Sequence, residues 1–183
     1  MKTALVMAAP GCEETETLGT VDVLRRGGVN VTVASMMPGH SLDVAGAHGI
    51  TFRADAHFDD VKGKAFDAVV CPGGMGGAST MRDSAEFVSY LRKQKAEGRW
   101  IAAICASPSV LGRLGILNGR NATVYPDMEV PGMDINWTEQ GLEVSDHVIT
   151  AQGPGKSLTF ALTIIYYLCG LEVAEAVSAE TMM

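Results

Sequence analysis

The chain has 183 residues, with 14 basic against 21 acidic side chains and a formal net charge of -7. That length fits one domain spanning residues 1–183, and 47% hydrophobic residues are enough to fill its core without a disulfide staple. With no basic run to neutralise phosphates, nucleic acid is not expected as the main partner.

In chain order, short β-branched runs alternate with longer helical ones. Ala4 to Met7 reads as a strand, followed by a helix from Glu14 to Arg26 that stops at Gly27-Gly28. Asn30 to Ser35 is a second strand, and residues 41–57 hold short alternating pieces, read as small strands or hairpins. Ala68 to Cys71 is a third main strand, followed by the glycine cluster Gly73-Gly74-Met75-Gly76-Gly77. Ser84 to Ala96 is amphipathic, with Phe87, Val88 and Leu91 at helical spacing and Ser84 as N-cap. Trp100 to Ile104 is an apolar strand leading through Cys105 into a helix from about Pro108 to Leu114. A strand at Val148 to Thr150 and helices at Ser157 to Cys169 and about Glu172 to Ala179 complete the pattern. Strands apolar on both faces and alternating with helices predict an α/β sandwich around a mostly parallel sheet. Such sheets place their sites at the carboxyl ends of the strands.

The cysteines stand at 12, 71, 105 and 169, a spacing that excludes CxxC redox pairs and zinc-finger ligand sets and fits a reduced, cytoplasmic compartment. The apolar stretch before Pro10 is shorter than a secretory core, and Phe160 to Leu171 is too short to cross a bilayer, so neither export nor membrane insertion is expected.

The strongest chemical signal is Ala103-Ile104-Cys105-Ala106-Ser107-Pro108 directly after a buried strand. Small-x-Cys-x-small at a strand-to-helix turn is the pattern of a nucleophile elbow, and the positive end of the following helix favours a thiolate. The plainer reading is a small cysteine ending a core strand. The glycine cluster does not fit G-x-G-x-x-G, because its last position falls on Ser79, yet its N–H groups could hold an oxyanion as readily as form a tight turn. The acidic run Glu13-Glu14-Thr15-Glu16 either complements the helix dipole or turns one carboxyl inward; spacing leaves both open. Gly153-Pro154-Gly155-Lys156-Ser157 is not a P-loop, since the glycine required at 150 is Thr150, but it could line a pocket. None of the histidines (40, 48, 57 and 147) adjoins Cys105, and Tyr125 is unremarkable by itself.

Together these motifs resemble the DJ-1/ThiJ/PfpI family of the class I glutamine amidotransferase-like superfamily, across nearly the whole chain. The resemblance rests on Glu-Glu-x-Glu at 13–16, Pro72-Gly73-Gly74, Ala102 to Ala106, and Gly153-Pro154-Gly155 before the last long helix. It implies a flavodoxin-like homodimer with no metal and no organic cofactor. It implies Cys105 as nucleophile, Glu16 as the inward acid, the amides of Gly74 and Ala106 as oxyanion donors, and Tyr125, Gly153, Pro154 and His48 around the pocket. The implied activity is that of a glyoxalase or deglycase acting on small 2-oxoaldehydes or their early protein adducts. An oxidisable sensor or chaperone is the alternative. Many bacterial relatives carry a thiazole-monophosphate biosynthesis label, but no kinase or synthase motif is present. Ala106 directly after the cysteine argues against the peptidase-like subgroups, which place histidine there. Tyr125 replaces a histidine that several members carry near the cysteine, and His48 stands near the implied dimer contact where relatives often have arginine. Gln152 before Gly-Pro-Gly resembles the bacterial branch.

Overall fold

The computed structural model describes residues 1–183. Seven strands form one sheet: β1 (Thr3–Ala8), β2 (Asn30–Ser35), β5 (Ala56–His57), β6 (Ala68–Cys71), β7 (Trp100–Ile104), β10 (Leu142–Ser145) and β11 (Val148–Ala151). Their order is β10-β11-β7-β6-β1-β2-β5. Every neighbouring pair is parallel except β10 with β11. A hairpin of β3 (Asp43–Ala45) and β4 (Thr51–Arg53), together with β5, accounts for the short pieces expected over 41–57. A small parallel pair, β8 (Arg120–Ala122) and β9 (Ile135–Trp137), lies outside the main sheet.

The central strands are apolar throughout because both faces are covered. On β1, Ala4, Val6 and Ala8 enter one core, while Leu5 and Met7 enter the other. Helices α1 (Glu14–Arg26), α6 (Ser157–Cys169) and α7 (Leu171–Thr181) cover the first face with Val21, Leu24, Phe160, Ile164 and Val177. The second face carries α2 (Phe58–Val61), α4 (Ala85–Ala96) and α5 (Ser107–Arg113) through Phe58, Phe87, Leu91 and Leu111. Burying side chains of this size contributes roughly 1.5–3 kcal/mol each before the cost of ordering the chain. The longest apolar helix is α6, and no helix is long and apolar enough to cross a membrane.

Ser84 caps α4 as its position predicts, accepting the Phe87 N–H at 3.2 Å. Elsewhere the structure departs from the sequence reading. The glycine cluster opens a further helix, α3 (Met75–Asp83), with Gly74 as its N-cap. A Cβ on Gly76 would lie 2.7 Å from Pro10 O, and one on Gly77 3.0 Å from Cys12 Cα, so these glycines let α3 approach the 10–12 loop. His147 stands exposed in the turn just before β11, at φ +61.

Candidate active site at the carboxyl edge of the sheet

Where β7 hands over to α5, Cys105 takes φ +62, a left-handed conformation that costs a non-glycine residue roughly 1–3 kcal/mol. Neighbouring segments hold it there. The Cys105 N–H donates to Ala151 O and the Tyr125 N–H donates to Cys105 O, both at 2.9 Å. Ser107 Oγ, buried in the first turn of α5, donates to Pro72 O at 2.6 Å and so ties the cysteine turn to the loop after β6.

Glu16 comes from α1, on the first face of the sheet. Glu13 caps this helix, its Oε2 accepting the Glu16 N–H at 2.6 Å. That bond fixes the first turn so that Glu16 points into the protein and is wholly buried. Glu16 Oε2 accepts the Gly73 N–H at 2.7 Å. Oε1 is buried without a conventional hydrogen-bond partner, and the remaining polar neighbour of this carboxyl is the Cys105 thiol. Gly73 occupies the gap between them. A Cβ there would lie 2.6 Å from Cys105 Cβ and 2.7 Å from Glu16 Oε2, so no larger residue fits without moving one of the pair.

Burial, the dominant influence, and the Glu13 carboxylate push Glu16 up to about 7, against the Gly73 N–H and the thiol, which pull it down. Burial and the Glu16 carboxylate push the Cys105 thiol up to about 12, whereas the Gly74 and Ala106 amides pull it down. The lowering expected from the helix terminus alone is therefore outweighed while Glu16 is charged. Once Glu16 takes a proton its repulsion disappears, leaving burial to oppose the two amides. The pair thus shares a proton, and its position decides whether sulfur or oxygen carries the charge.

A cavity of about 550 Å³ opens above the sulfur. Of the residues expected around the pocket, Cys105, Gly74, Ala106, Tyr125, Pro154 and His48 line it. Gly153 does not, but supports Tyr125 from behind: its Cβ position lies 3.3 Å from Tyr125 Cδ2. Glu16 sits beneath the floor. Glu13, Met75 and Met128 also line the cavity, beyond the pocket residues that the resemblance implies, and Gly73 is the spacer beneath it. The Pro-Gly-Gly run after β6 was the available signal for Gly73. His48 reaches the rim on the β3–β4 loop, which Glu14 anchors. Glu14 Oε1 accepts the His48 N–H at 2.7 Å and Oε2 lies 2.9 Å from His48 Nδ1. Burial pushes Glu14 up, but the His48 ring and the amides of His48 and Ile50 outweigh it and bring Glu14 to about 2. Glu13, Glu14 and His48 have donor atoms close enough to share a cation, but both oxygens of Glu14 are already engaged by the loop.

A family profile described as the DJ-1/PfpI family matches residues 2–166. Protein dj-1beta of Drosophila melanogaster is 38% identical over 97% of this chain and 95% of its own length. Its crystal structure superposes with a TM-score of 0.94 at 36% identity, covering 100% of this chain and 98% of that one. A Caenorhabditis elegans protein named glutathione-independent glyoxalase DJR-1.2 is 38% identical over 93% of this chain and 91% of its own. Protein DJ-1 homolog A of Arabidopsis thaliana is 36% identical over 100% of this chain, which spans only 47% of that longer protein. These plant, insect and nematode relatives give no support to the bacterial-type placement drawn from Gln152, a single side chain beside the Gly-Pro-Gly loop. Matched along almost its entire length in both sequence and fold, the chain belongs to the DJ-1/PfpI family.

Proposed function

We propose that this protein is a cysteine-dependent, cofactor-independent glyoxalase or deglycase that converts small 2-oxoaldehydes, or their early adducts with proteins, to hydroxy acids. The observation that carries the reading is the buried Glu16 carboxyl beside the Cys105 thiol, separated only by Gly73 under an open cavity. The name of the nematode relative agrees with it.

In this mechanism the Cys105 sulfur adds to the aldehyde carbon of methylglyoxal, giving a hemithioacetal. Glu16 removes the proton from that carbon to form an enediol and returns it to the neighbouring carbon, as general base and then acid. A group near 7 is suited to both steps at neutral pH. The amides of Gly74 and Ala106 stabilise the developing oxyanion. The product is a lactoyl thioester, and water cleaves it to lactate and free thiol. Substrate rearrangement supplies both the oxidation and the reduction, so no external electron carrier enters the balance. Lactate formation by the purified protein, and its loss in Cys105→Ala, tests the reading; turnover unchanged by that substitution refutes it. The single domain, the homodimer and the cytoplasmic setting implied by the sequence belong to the same proposal, and sedimentation of the pure chain checks the dimer.

A second reading is a redox sensor or stress chaperone. It is favoured by Cys105 being partly exposed in the cavity, whereas Cys12 and Cys71 are buried and the partly exposed Cys169 is not among the residues lining the cavity. Oxidation to sulfinic acid would place new oxygens beside Glu16. Mass spectrometry after mild peroxide separates the cases: preferential oxidation of Cys12, Cys71 or Cys169 removes the basis for this role.

A further inference from the structure

We propose that the cavity prefers 2-oxoaldehydes carrying an uncharged hydrophobic tail of several carbons over methylglyoxal, and that Met75, Tyr125 and Met128 bind the tail. The inference rests on the reading of Cys105 and Glu16 as the reacting pair and extends it to the rest of the substrate.

The size of the cavity and the character of its wall carry the inference. Its volume, about 550 Å³, falls in the range of about 300–1,000 Å³ typical of pockets that enclose ligands much larger than a three-carbon aldehyde. Half of the residues lining it are hydrophobic. The large ones are not packed away, since Met75 is 65% exposed and Tyr125 48%. Apolar surface left in water at a cavity mouth is stabilised when a hydrophobic ligand covers it. The titratable side chains of the wall are Glu13, His48, Cys105 and Tyr125, with no lysine or arginine among them. His48 Nδ1 is already turned to Glu14, 2.9 Å away. A carboxylate or phosphate on the tail would therefore face Glu13 without a lysine or arginine to offset the repulsion.

The apolar side chains stand where such a tail would run. The Tyr125 N–H donates to Cys105 O at 2.9 Å, and the Met128 N–H donates to Tyr125 O at 3.1 Å. The second bond closes a turn through Pro126 and Asp127, with Asp127 at φ +65. Proline at the second position and a left-handed aspartate at the third suit a type II turn, which fixes Tyr125 and Met128 relative to the nucleophile. Met128 also packs against the cluster of Ala78, Ala106 and Val110. Met75 follows Gly74 directly and opens α3. Each of the two residues whose amides are assigned to the carbonyl oxygen, Gly74 and Ala106, thus has a methionine beside it. The substituent of a carbonyl held there would meet both thioethers, whose unbranched chains adapt to tails of different shape.

The test compares kcat/KM for methylglyoxal and 2-oxohexanal, whose reacting carbons are alike, by measuring the hydroxy acid formed. A value at least about tenfold higher is expected for 2-oxohexanal. That ratio is expected to fall at least about threefold in Met75→Ala and in Met128→Ala, and to return in Met75→Leu and Met128→Leu, which keep the volume. A second measurement needs no turnover: N-hexyl iodoacetamide is expected to alkylate Cys105 faster than iodoacetamide does, read by mass spectrometry. Equal kcat/KM for the two aldehydes, a ratio unchanged in both alanine variants, or equal alkylation rates overturns the proposal. Product from both aldehydes without preference sinks this inference alone and leaves the glyoxalase reading standing. No product from either, with hexyl alkylation still faster, sinks that reading and supports the tail-binding role of the three side chains.

Discussion

The Gly73 N–H donates to Glu16 Oε2 at 2.7 Å, and the missing side chain of the same glycine is what lets Cys105 stand beside the acid. One residue thus positions the carboxyl and makes room for the sulfur. In Gly73→Ala, the new methyl must displace Cys105 or Glu16. Misplacement on the scale of 1 Å is expected to lower turnover of methylglyoxal about 100-fold, with overpacking costing about 1–3 kcal/mol. Steady-state kinetics and denaturant melts check the two effects.

Glu16 couples the fold to pH. Its value in the folded chain, about 7, lies above the ordinary 4.5, so the folded state holds this proton more tightly than the unfolded state. Its contribution is fully present below pH 4.5, is lost as pH rises through about 7, and stays lost above that. The difference corresponds to about 3 kcal/mol in order of magnitude. Wild type should therefore lose stability between pH 5 and pH 8 relative to Glu16→Gln, whose amide does not titrate. Denaturant midpoints of both proteins at the two pH values measure it.

Glu14 behaves with the opposite sign. Held at about 2 by the β3–β4 loop, it favours the docked loop above pH 4.5 and loses that contribution as pH falls through about 2. Glu14→Ala removes the acceptor for the His48 and Ile50 amides. Hydrogen exchange at those two amides is expected to rise well before the sheet amides change; equal exchange in wild type and variant would refute the anchor.

Ser107→Ala removes the buried bond to Pro72 O and leaves that carbonyl unpaired. A loss of about 1–3 kcal/mol is expected in denaturant melts. Turnover should fall too, because the variant frees the cysteine turn from the loop that carries Gly73 and Gly74.

The main strands and helices were legible because an apolar run between turn residues leaves little choice of structure, as at Trp100 to Ile104. The elbow was legible for the same reason: Cys105 follows such a run and precedes Pro108. The acidic cluster was not. Glu13, Glu14 and Glu16 all lie at one helix start, and their separate fates as cap, loop anchor and buried acid depend on what packs against each. Family resemblance, rather than spacing, singled out Glu16. The glycine cluster leaves a turn and an oxyanion loop equally open in the sequence because glycine signals freedom locally, whereas in the fold it permits close packing of α3. Strands β8 to β10 are not legible in the sequence, because three or four residues with polar members, such as Ile135-Asn136-Trp137, carry no periodic signal.

Glu16 is delivered by a helix on one face of the sheet, and the helix that follows Cys105 packs on the other. The close contact of acid and sulfur therefore joins elements anchored in opposite layers and registers slippage in either one. A conservative swap at Leu24 or at Leu111, each remote from any substrate, would be sensed at the thiol as altered alkylation kinetics, which makes this cysteine a built-in gauge of how well the two halves of the interior fit together.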